Sequence, residues 1–360
     1  MPLRIALLSP LYESVPPRLY GGTERVVSYL AEALVEAGED VTLFASGDSV
    51  TTARLVPVTA KSLRLNPECK DPIARHFLLM EEVLKREGEF DIIHSNVDYL
   101  GLAFARRSRT PFITTLHGRL DIPEITSIFR EYGEFPLVSI SDAQRRPLPR
   151  ANWLRTVYHG IPPGLYSYNE VPEEYLVFVG RISPEKKIDS LIRIALKAQI
   201  PLKIAAKVDK ADIEYYGTVV RPLLENSLVE FIGEVGDREK NELLGKALAC
   251  LHPADWPEPF GLALIEAMGC GTPVIARKRG SIPEVVDHGI TGLIFEKDEE
   301  AVFHIKNRLS SISRAGCRRR FEERFSSRRM SADYLAAYGA VLSGQSEMAP
   351  GIPLKGLASE

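Results

Sequence analysis

At 360 residues the chain is long enough for two hydrophobic cores, and its 45% hydrophobic and 26% charged residues are those of an ordinary globular protein. A formal charge of −3 argues against a general nucleic-acid binder, whose phosphate contacts need a basic excess. The four cysteines, Cys69, Cys250, Cys270 and Cys317, have neither metal-ligand spacing nor a disulfide pattern, which fits a reducing, cytoplasmic setting.

The opening run PLRIALLSPLY is too short for a signal peptide or a spanning helix and reads as a first buried strand, and no later segment is apolar for long enough to span a bilayer. Short β-branched or apolar runs predict strands at Arg4–Ser9, Val41–Ala45, Asp91–His94, Phe112–Leu116 and Leu137–Ile140. Helical periods over Thr23–Ala37 and Ile73–Arg86 lie between them. The second half repeats the rhythm, with strands expected at Tyr175–Gly180, Leu202–Lys207, Val229–Ile232, Cys250–His252, Val274–Ala276 and Leu293–Phe295. Helices are expected at Ser190–Lys197, Asn241–Leu248 and Leu262–Met268. Strands separated by helices imply parallel sheets with right-handed crossovers, so the expected class is α/β with two doubly wound, Rossmann-like domains.

The proline- and glycine-rich stretch 159–175 carries no period and reads as the linker. The expected division is an N-terminal Rossmann-like domain over 1–165, a C-terminal Rossmann-like domain over 170–325, a final helix over 326–343 and a flexible tail over 344–360. In such open sheets ligands bind at the carboxyl ends of the strands, and two domains joined once place the expected site in the cleft between them.

Six segments carry candidate chemistry. Gly21 and Gly22 open a helix after the first strand, where glycines permit close approach of a phosphate or sugar, although a plain helix-start turn has the same look. Asn96 and Asp98 in HSNVDY and Ser141 in VSISDA are strand-end polar residues that suit a ligand pocket or, equally, helix caps. His117 directly follows an apolar strand in FITTLHGRL, a place from which it can bond a ligand hydroxyl, though a lone histidine is more often structural. In FVGRISPEKKID, Arg181 and Lys186 flank a strand-end loop and can hold a diphosphate, or stand as solvated surface cations. In HPADWPEPFGLALIEAMGCGTPVIA, the free backbone N–H groups of Phe260, Gly261 and Leu262 start a helix and attract a phosphate or sugar oxygen. Glu258 precedes that helix, and Glu266 lies in its second turn within an apolar stripe, where a carboxylate is costly without a partner. Carboxylates there suit hydroxyl-rich ligands.

The string EPFGLALIEAMGCGTPVIA, followed by GSIPEVVDHGITGLIF, resembles the C-terminal signature of the family 4 retaining glycosyltransferases, whose fold is GT-B. Its two glutamates eight positions apart are matched by Glu258 and Glu266, and the likeness runs from Arg4 to about Tyr338. The resemblance implies a nucleotide diphosphate sugar as co-substrate and retention of anomeric configuration, and no cofactor is expected. It implies that Glu258 contacts donor-sugar hydroxyls, Glu266 the ribose, Arg181 and Lys186 the leaving diphosphate, and Gly21-Gly22 the diphosphate beside the acceptor site. It also implies a role for His117 at the donor sugar and a C-terminal helix returning to the N-terminal domain. The family has glycine after the lysine, whereas Lys187 stands there in this chain, which leaves open which lysine faces the phosphate.

No Asp-x-Asp stands where a divalent cation would be held, so fixed cations and helix dipoles are expected to supply the positive field that the departing diphosphate needs. The acceptor stays open among sugars, lipid-linked and small molecules. The basic clusters Arg106–Arg109, Arg145–Arg150 and Arg318–Arg320 raise peripheral membrane contact, which some relatives make, but the net charge tells against it; the last cluster reads as a solvated helix face. Two other readings remain, a nucleotide-sugar epimerase and a non-catalytic nucleotide-sugar-binding protein on the same fold.

Overall fold

The computed structural model describes residues 1–344, so the tail expected to be flexible lies, past Gly344, outside the described residues. The chain folds into two compact units. The first comprises Met1–Pro16, Ala31–Tyr158 and the chain from Ser331 onward; the second comprises Pro17–Leu30 and His159–Met330. The second unit thus begins just after Tyr158, at the start of the stretch read as a linker, and takes in Pro17–Leu30 from far upstream. That stretch is not loose, because Tyr166 is fully buried within it.

The first unit is built on strands β1 (Arg4–Leu8), β2 (Asp40–Ser46), β3 (Arg54–Thr59), β4 (Ile92–Ser95), β5 (Phe112–Thr115), β6 (Leu137–Ser139) and β7 (Trp153–Thr156). They form one parallel sheet in the order β3-β2-β1-β4-β5-β6-β7. In the central β1 every residue after Arg4 is buried, as expected when helices cover both faces of a parallel sheet. β3 and β7 were not anticipated. Both are edge strands: β3 contains Pro57, which a sheet tolerates only at an edge, and most of β7 is half-buried.

The last helix, Ser327–Leu342, contributes two tyrosines to the first unit's interior. His94 Nδ1 lies 2.8 Å from the Tyr338 hydroxyl, its Nε2 lies 2.8 Å from Thr115 Oγ1, and Thr115 Oγ1 lies 3.0 Å from the Tyr334 hydroxyl. Full burial pushes the imidazole of His94 down to about 3, so the ring is neutral.

The second unit has strands β8 (Leu176–Ile182), β9 (Leu202–Val208), β10 (Val229–Gly233), β11 (Ala249–His252), β12 (Val274–Arg277) and β13 (Gly292–Phe295). They form a parallel sheet in the order β10-β9-β8-β11-β12-β13. Helix Ile188–Ala198 buries Ile188, Leu191, Ile192, Ile194 and Ala195 in the main core of this unit. Helix Asp237–Lys246 starts four residues before the expected position, because its first turn is polar and lacks an apolar period; Asp237 and Glu239 there complement the helix dipole.

Several cations of the basic clusters are held by neighbours. Arg106 pairs with Glu131 (2.8 Å) and Glu134 (2.7 Å), and Arg107 with Glu81 (2.6 Å). Arg145 donates to Ser139 Oγ at 2.7 Å and lies over the Trp153 ring. Arg318 corrects the reading of a solvated face: its guanidinium donates to the carbonyls of Tyr166 (2.7 Å), Gly269 (2.5 Å) and Pro163 (2.7 Å). It pins the stretch after Tyr158 to the helix Leu262–Gly269. Among the described residues no helix is long and apolar enough to cross a membrane.

Candidate active site

An open pocket of about 840 Å³ lies in the second unit, at the carboxyl ends of β8, β9 and β11. Its walls bring together Gly21, Gly22, Arg181, Lys186, Glu258, Gly261, Leu262 and Glu266, eight of the residues singled out from sequence.

β8 delivers Arg181, and the strand runs two residues further than expected, to Ile182. A single 3₁₀ turn, Pro184–Lys186, follows. Lys187 then adopts φ +54°, the left-handed conformation that glycine takes without strain, at the position where the family motif has glycine. Lys186 lines the pocket, and Lys187 makes the turn into helix Ile188–Ala198.

Lys186 Nζ makes a short ion pair with Glu258 and lies 5.0 Å from the centre of the Trp256 ring. The same Glu258 oxygen accepts from Trp256 Nε1 at 3.0 Å and lies 3.3 Å from His252 Nε2. Burial by itself would raise the Glu258 carboxyl, but the charge of Lys186 and the His252 contact outweigh it and hold it well below the usual carboxylate range. The loop carrying Glu258 is clamped from behind. Ser281 N–H donates to the Glu258 carbonyl (2.9 Å), and Ser281 Oγ donates to the Phe260 carbonyl (3.0 Å). Gly280 lies so close that a Cβ there would stand 2.3 Å from the Glu258 carbonyl oxygen.

Gly261, at φ +86°, turns the chain into helix Leu262–Gly269, and a Cβ at this position would meet Leu264 at 2.9 Å. Gly261, Leu262 and Ala263 line the pocket. Phe260 does not: its buried ring packs against His159 (4.8 Å) and Phe325 (6.0 Å), so it braces the loop from the core side. Glu266, 3% exposed, has the partners that a carboxylate in an apolar stripe requires: Lys240 Nζ at 2.6 Å and the Tyr166 hydroxyl at 2.9 Å.

The glycine loop is fixed on the same unit. Tyr20 N–H donates to Glu234 Oε1 (2.9 Å), and its ring lies 5.8 Å from Lys207 Nζ. Arg25, with a side chain only 5% exposed, donates to Asp237 at 2.5 Å and to the Leu19 carbonyl at 2.7 Å. Sequence reasoning missed Tyr20, Arg25, Lys207, Lys240, His252 and Trp256. Lys240 and Arg25 sit in charged helix turns that look solvated, and only their long-range partners mark them. Trp256 and Lys207 were legible as strand-end or motif residues and were not singled out.

His117, expected at the donor sugar, and the acceptor-side candidates Asn96, Asp98 and Ser141 belong to the first unit, and none of them lines this pocket. At the carboxyl ends of β4 and β5, His117 Nε2 lies 2.9 Å from Asn96 Oδ1, and Asp98 Oδ1 accepts from the His117 N–H at 3.4 Å. Burial pushes the His117 imidazole down to about 3, so it too is neutral. Ser141 instead caps the short helix Asp142–Arg145: it is fully buried, and its Oγ accepts from the Gln144 N–H at 3.1 Å. Among the described residues no group of three or more His, Cys, Asp or Glu side chains is placed to hold a metal ion.

Residues 168–323 match the family described as "Glycosyl transferases group 1", and residues 20–161 match "Glycosyltransferase Family 4". An uncharacterized glycosyltransferase of Methanocaldococcus jannaschii is 24% identical over 83% of this chain and 87% of its own length. The phosphatidyl-myo-inositol mannosyltransferase of Propionibacterium freudenreichii is 26% identical over 83% of this chain and 84% of its own. Among solved structures, sucrose-phosphate synthase from Thermosynechococcus elongatus aligns with a TM-score of 0.78 at 22% identity, over 95% of this chain and 100% of that one. Anabaena HepE in complex with UDP and glucose aligns with a TM-score of 0.73 at 19% identity, over 94% and 100%. With both halves matched and the fold shared along the chain, this protein belongs to glycosyltransferase family 4 and has the GT-B fold.

Proposed function

We propose that this glycosyltransferase moves a sugar from a nucleotide diphosphate donor to a hydroxyl-bearing acceptor, with retention of anomeric configuration and without a metal ion. The observation that carries the reading is the pair of buried ion pairs on one pocket wall, Lys186–Glu258 and Lys240–Glu266, on either side of the helix start at Leu262. Each glutamate is held ready to accept hydroxyl donors, and Lys186 stands beside the glutamate that the family assigns to the transferred sugar. The similar Anabaena HepE, solved with UDP-glucose and with UDP and glucose, supports a nucleotide-sugar donor.

Cleavage of the anomeric bond leaves negative charge on the diphosphate. Arg181, Lys186 and the free N–H groups at the start of helix Leu262–Gly269 border the pocket where that charge appears, and fixed positive groups stabilise it without reorganisation. Glu258 hydrogen-bonds the hydroxyls of the transferred sugar, and Glu266 those of the ribose. Retention rests on the family resemblance.

A thermal-shift screen of nucleoside diphosphates and nucleotide sugars tests the donor. A ligand at a hundredfold excess over its Kd stabilises by about 2.7 kcal/mol, which is visible as a rise in Tm. Slow hydrolysis of the donor that binds, followed by NMR before mutarotation, should release the sugar with its donor anomeric configuration. If no nucleotide ligand raises Tm, the reading is wrong; the inverted anomer removes retention from it.

A further inference from the structure

Arg181 is surrounded by carboxylates. Its Nη2 donates to Glu185 Oε1 at 2.6 Å, and its Nη1 faces Asp209 Oδ2 at 3.6 Å and Asp212 Oδ2 at 3.7 Å. The next pocket cation on this wall, Lys207, is itself paired with Asp209 at 2.7 Å. This corner therefore carries two cations and three acids. Asp212 is the most enclosed of the three: its side chain is 12% exposed, and Oδ2 is buried with no hydrogen-bond donor. Burial pushes its carboxyl above the ordinary range despite the neighbouring guanidinium. A carboxylate so poorly satisfied stabilises the fold little and calls for another explanation.

Glu185, in the 3₁₀ turn that follows β8, already makes the direct hydrogen bond to Arg181. Asp209 and Asp212 come from the loop after β9 and bring further negative charge to a guanidinium that lines the pocket. Resting on the donor reading above, the chemistry supplies a use for that charge. In a nucleotide sugar each phosphate has one ester and one anhydride link and keeps a single ionisation, so the diphosphate carries about two negative charges. Once the sugar has left, the terminal phosphate gains a second ionisation with a pKa near 6, so the spent nucleotide carries nearly three at neutral pH. The added charge appears on the phosphate nearest the transferred sugar, the one that Arg181 is expected to face.

We propose that Asp209 and Asp212 tune Arg181 for product release: they oppose the extra charge of the spent nucleoside diphosphate and so make it bind less tightly, relative to the intact donor, than the bare cation would. Arg181 still meets the charge developing in the transition state, while the neighbouring acids limit how long the product is held.

The test uses the full chain and calorimetric titration. UDP, GDP, ADP and dTDP are titrated first, then the nucleotide-glucose of the base that binds. In Asp212→Asn the nucleoside diphosphate should bind tighter by on the order of tenfold, the size expected from removing one charge several ångström away in a part-solvated pocket. The nucleotide sugar should tighten by about threefold or less, so the ratio of the two Kd values shifts. Asp209→Asn should move the ratio in the same direction, and Asp212→Glu, which keeps the charge, should leave it at the wild-type value. If both Asn variants bind both ligands more weakly, or leave the ratio unchanged, the acids merely orient Arg181 and the inference is overturned. If the wild-type chain binds no nucleoside diphosphate, the donor reading itself fails, and this inference with it.

Discussion

At the scale of single residues the pocket is organised by pairing. Lys186 is held by Glu258, Lys240 by Glu266, Arg25 by Asp237 and Arg181 by Glu185, so the pocket is close to neutral before a ligand enters. On the proposed reading, a dianionic diphosphate recruits cations already fixed in place, which costs little reorganisation. The two glutamates should separate in binding. Glu266→Gln should weaken both the nucleoside diphosphate and the nucleotide sugar, because the ribose is common to both. Glu258→Gln should weaken only the nucleotide sugar; it also releases Lys186, so diphosphate binding should hold steady or improve. The expected loss is about 1.5–3 kcal/mol per hydrogen-bonded carboxylate, readable by calorimetry. Equal loss of nucleoside diphosphate binding in the two variants would mean that sugar and ribose have been assigned to the wrong glutamates.

At the scale of elements, the last helix depends on a neutral histidine. His94, between the Tyr338 hydroxyl and Thr115, and His117, beside Asn96, are both pushed down to about 3 by burial. An unfolded histidine titrates near 6.5. Because the folded value is the lower one, their contribution is fully present above pH 6.5 and is lost as pH falls toward 3. Each histidine can cost up to about 1.4 kcal/mol of stability per pH unit within that window. Urea midpoints measured from pH 7.5 to 4.5 should therefore fall, and His94→Gln, which removes one of the two titrations, should show a shallower acid slope. A wild-type midpoint that stays flat over this range would mean that His94 and His117 are not buried neutral. A variant slope equal to that of wild type would mean that His94 does not contribute to it.

At the scale of the whole molecule, the proposed chemistry draws its positive field from the chain's own groups: Arg181, Lys186, Lys207 and the helix start at Leu262 all line one pocket. Turnover of the donor should therefore survive excess EDTA with less than about a twofold loss, well within one tenfold step of the barrier. Complete loss that magnesium or manganese restores would show that a divalent cation shares the leaving group, and would remove metal independence from the proposal.

Much of this architecture was legible in the residues themselves. Apolar runs of strand length alternating with helical periods report faces that must be buried, and burial is decided locally, so eleven strands fell close to their observed positions and Glu258, Glu266, Arg181 and Lys186 could be placed on their loops and helix. Lys187 was legible only as a departure from a motif; its left-handed φ supplies the reason. Edge strands β3 and β7 were hidden because an edge needs neither a continuous apolar run nor a full ladder. Partner choice was not readable at all. Lys186 and Glu258 are 72 residues apart, Lys240 and Glu266 26 apart, and Arg25 and Asp237 212 apart. A charged side chain in a polar turn looks the same whether it meets water or a buried carboxylate. Strand order decides which it meets, by bringing the ends of β8, β9 and β11 and the glycine loop to one pocket, and that is a property of the tertiary structure alone.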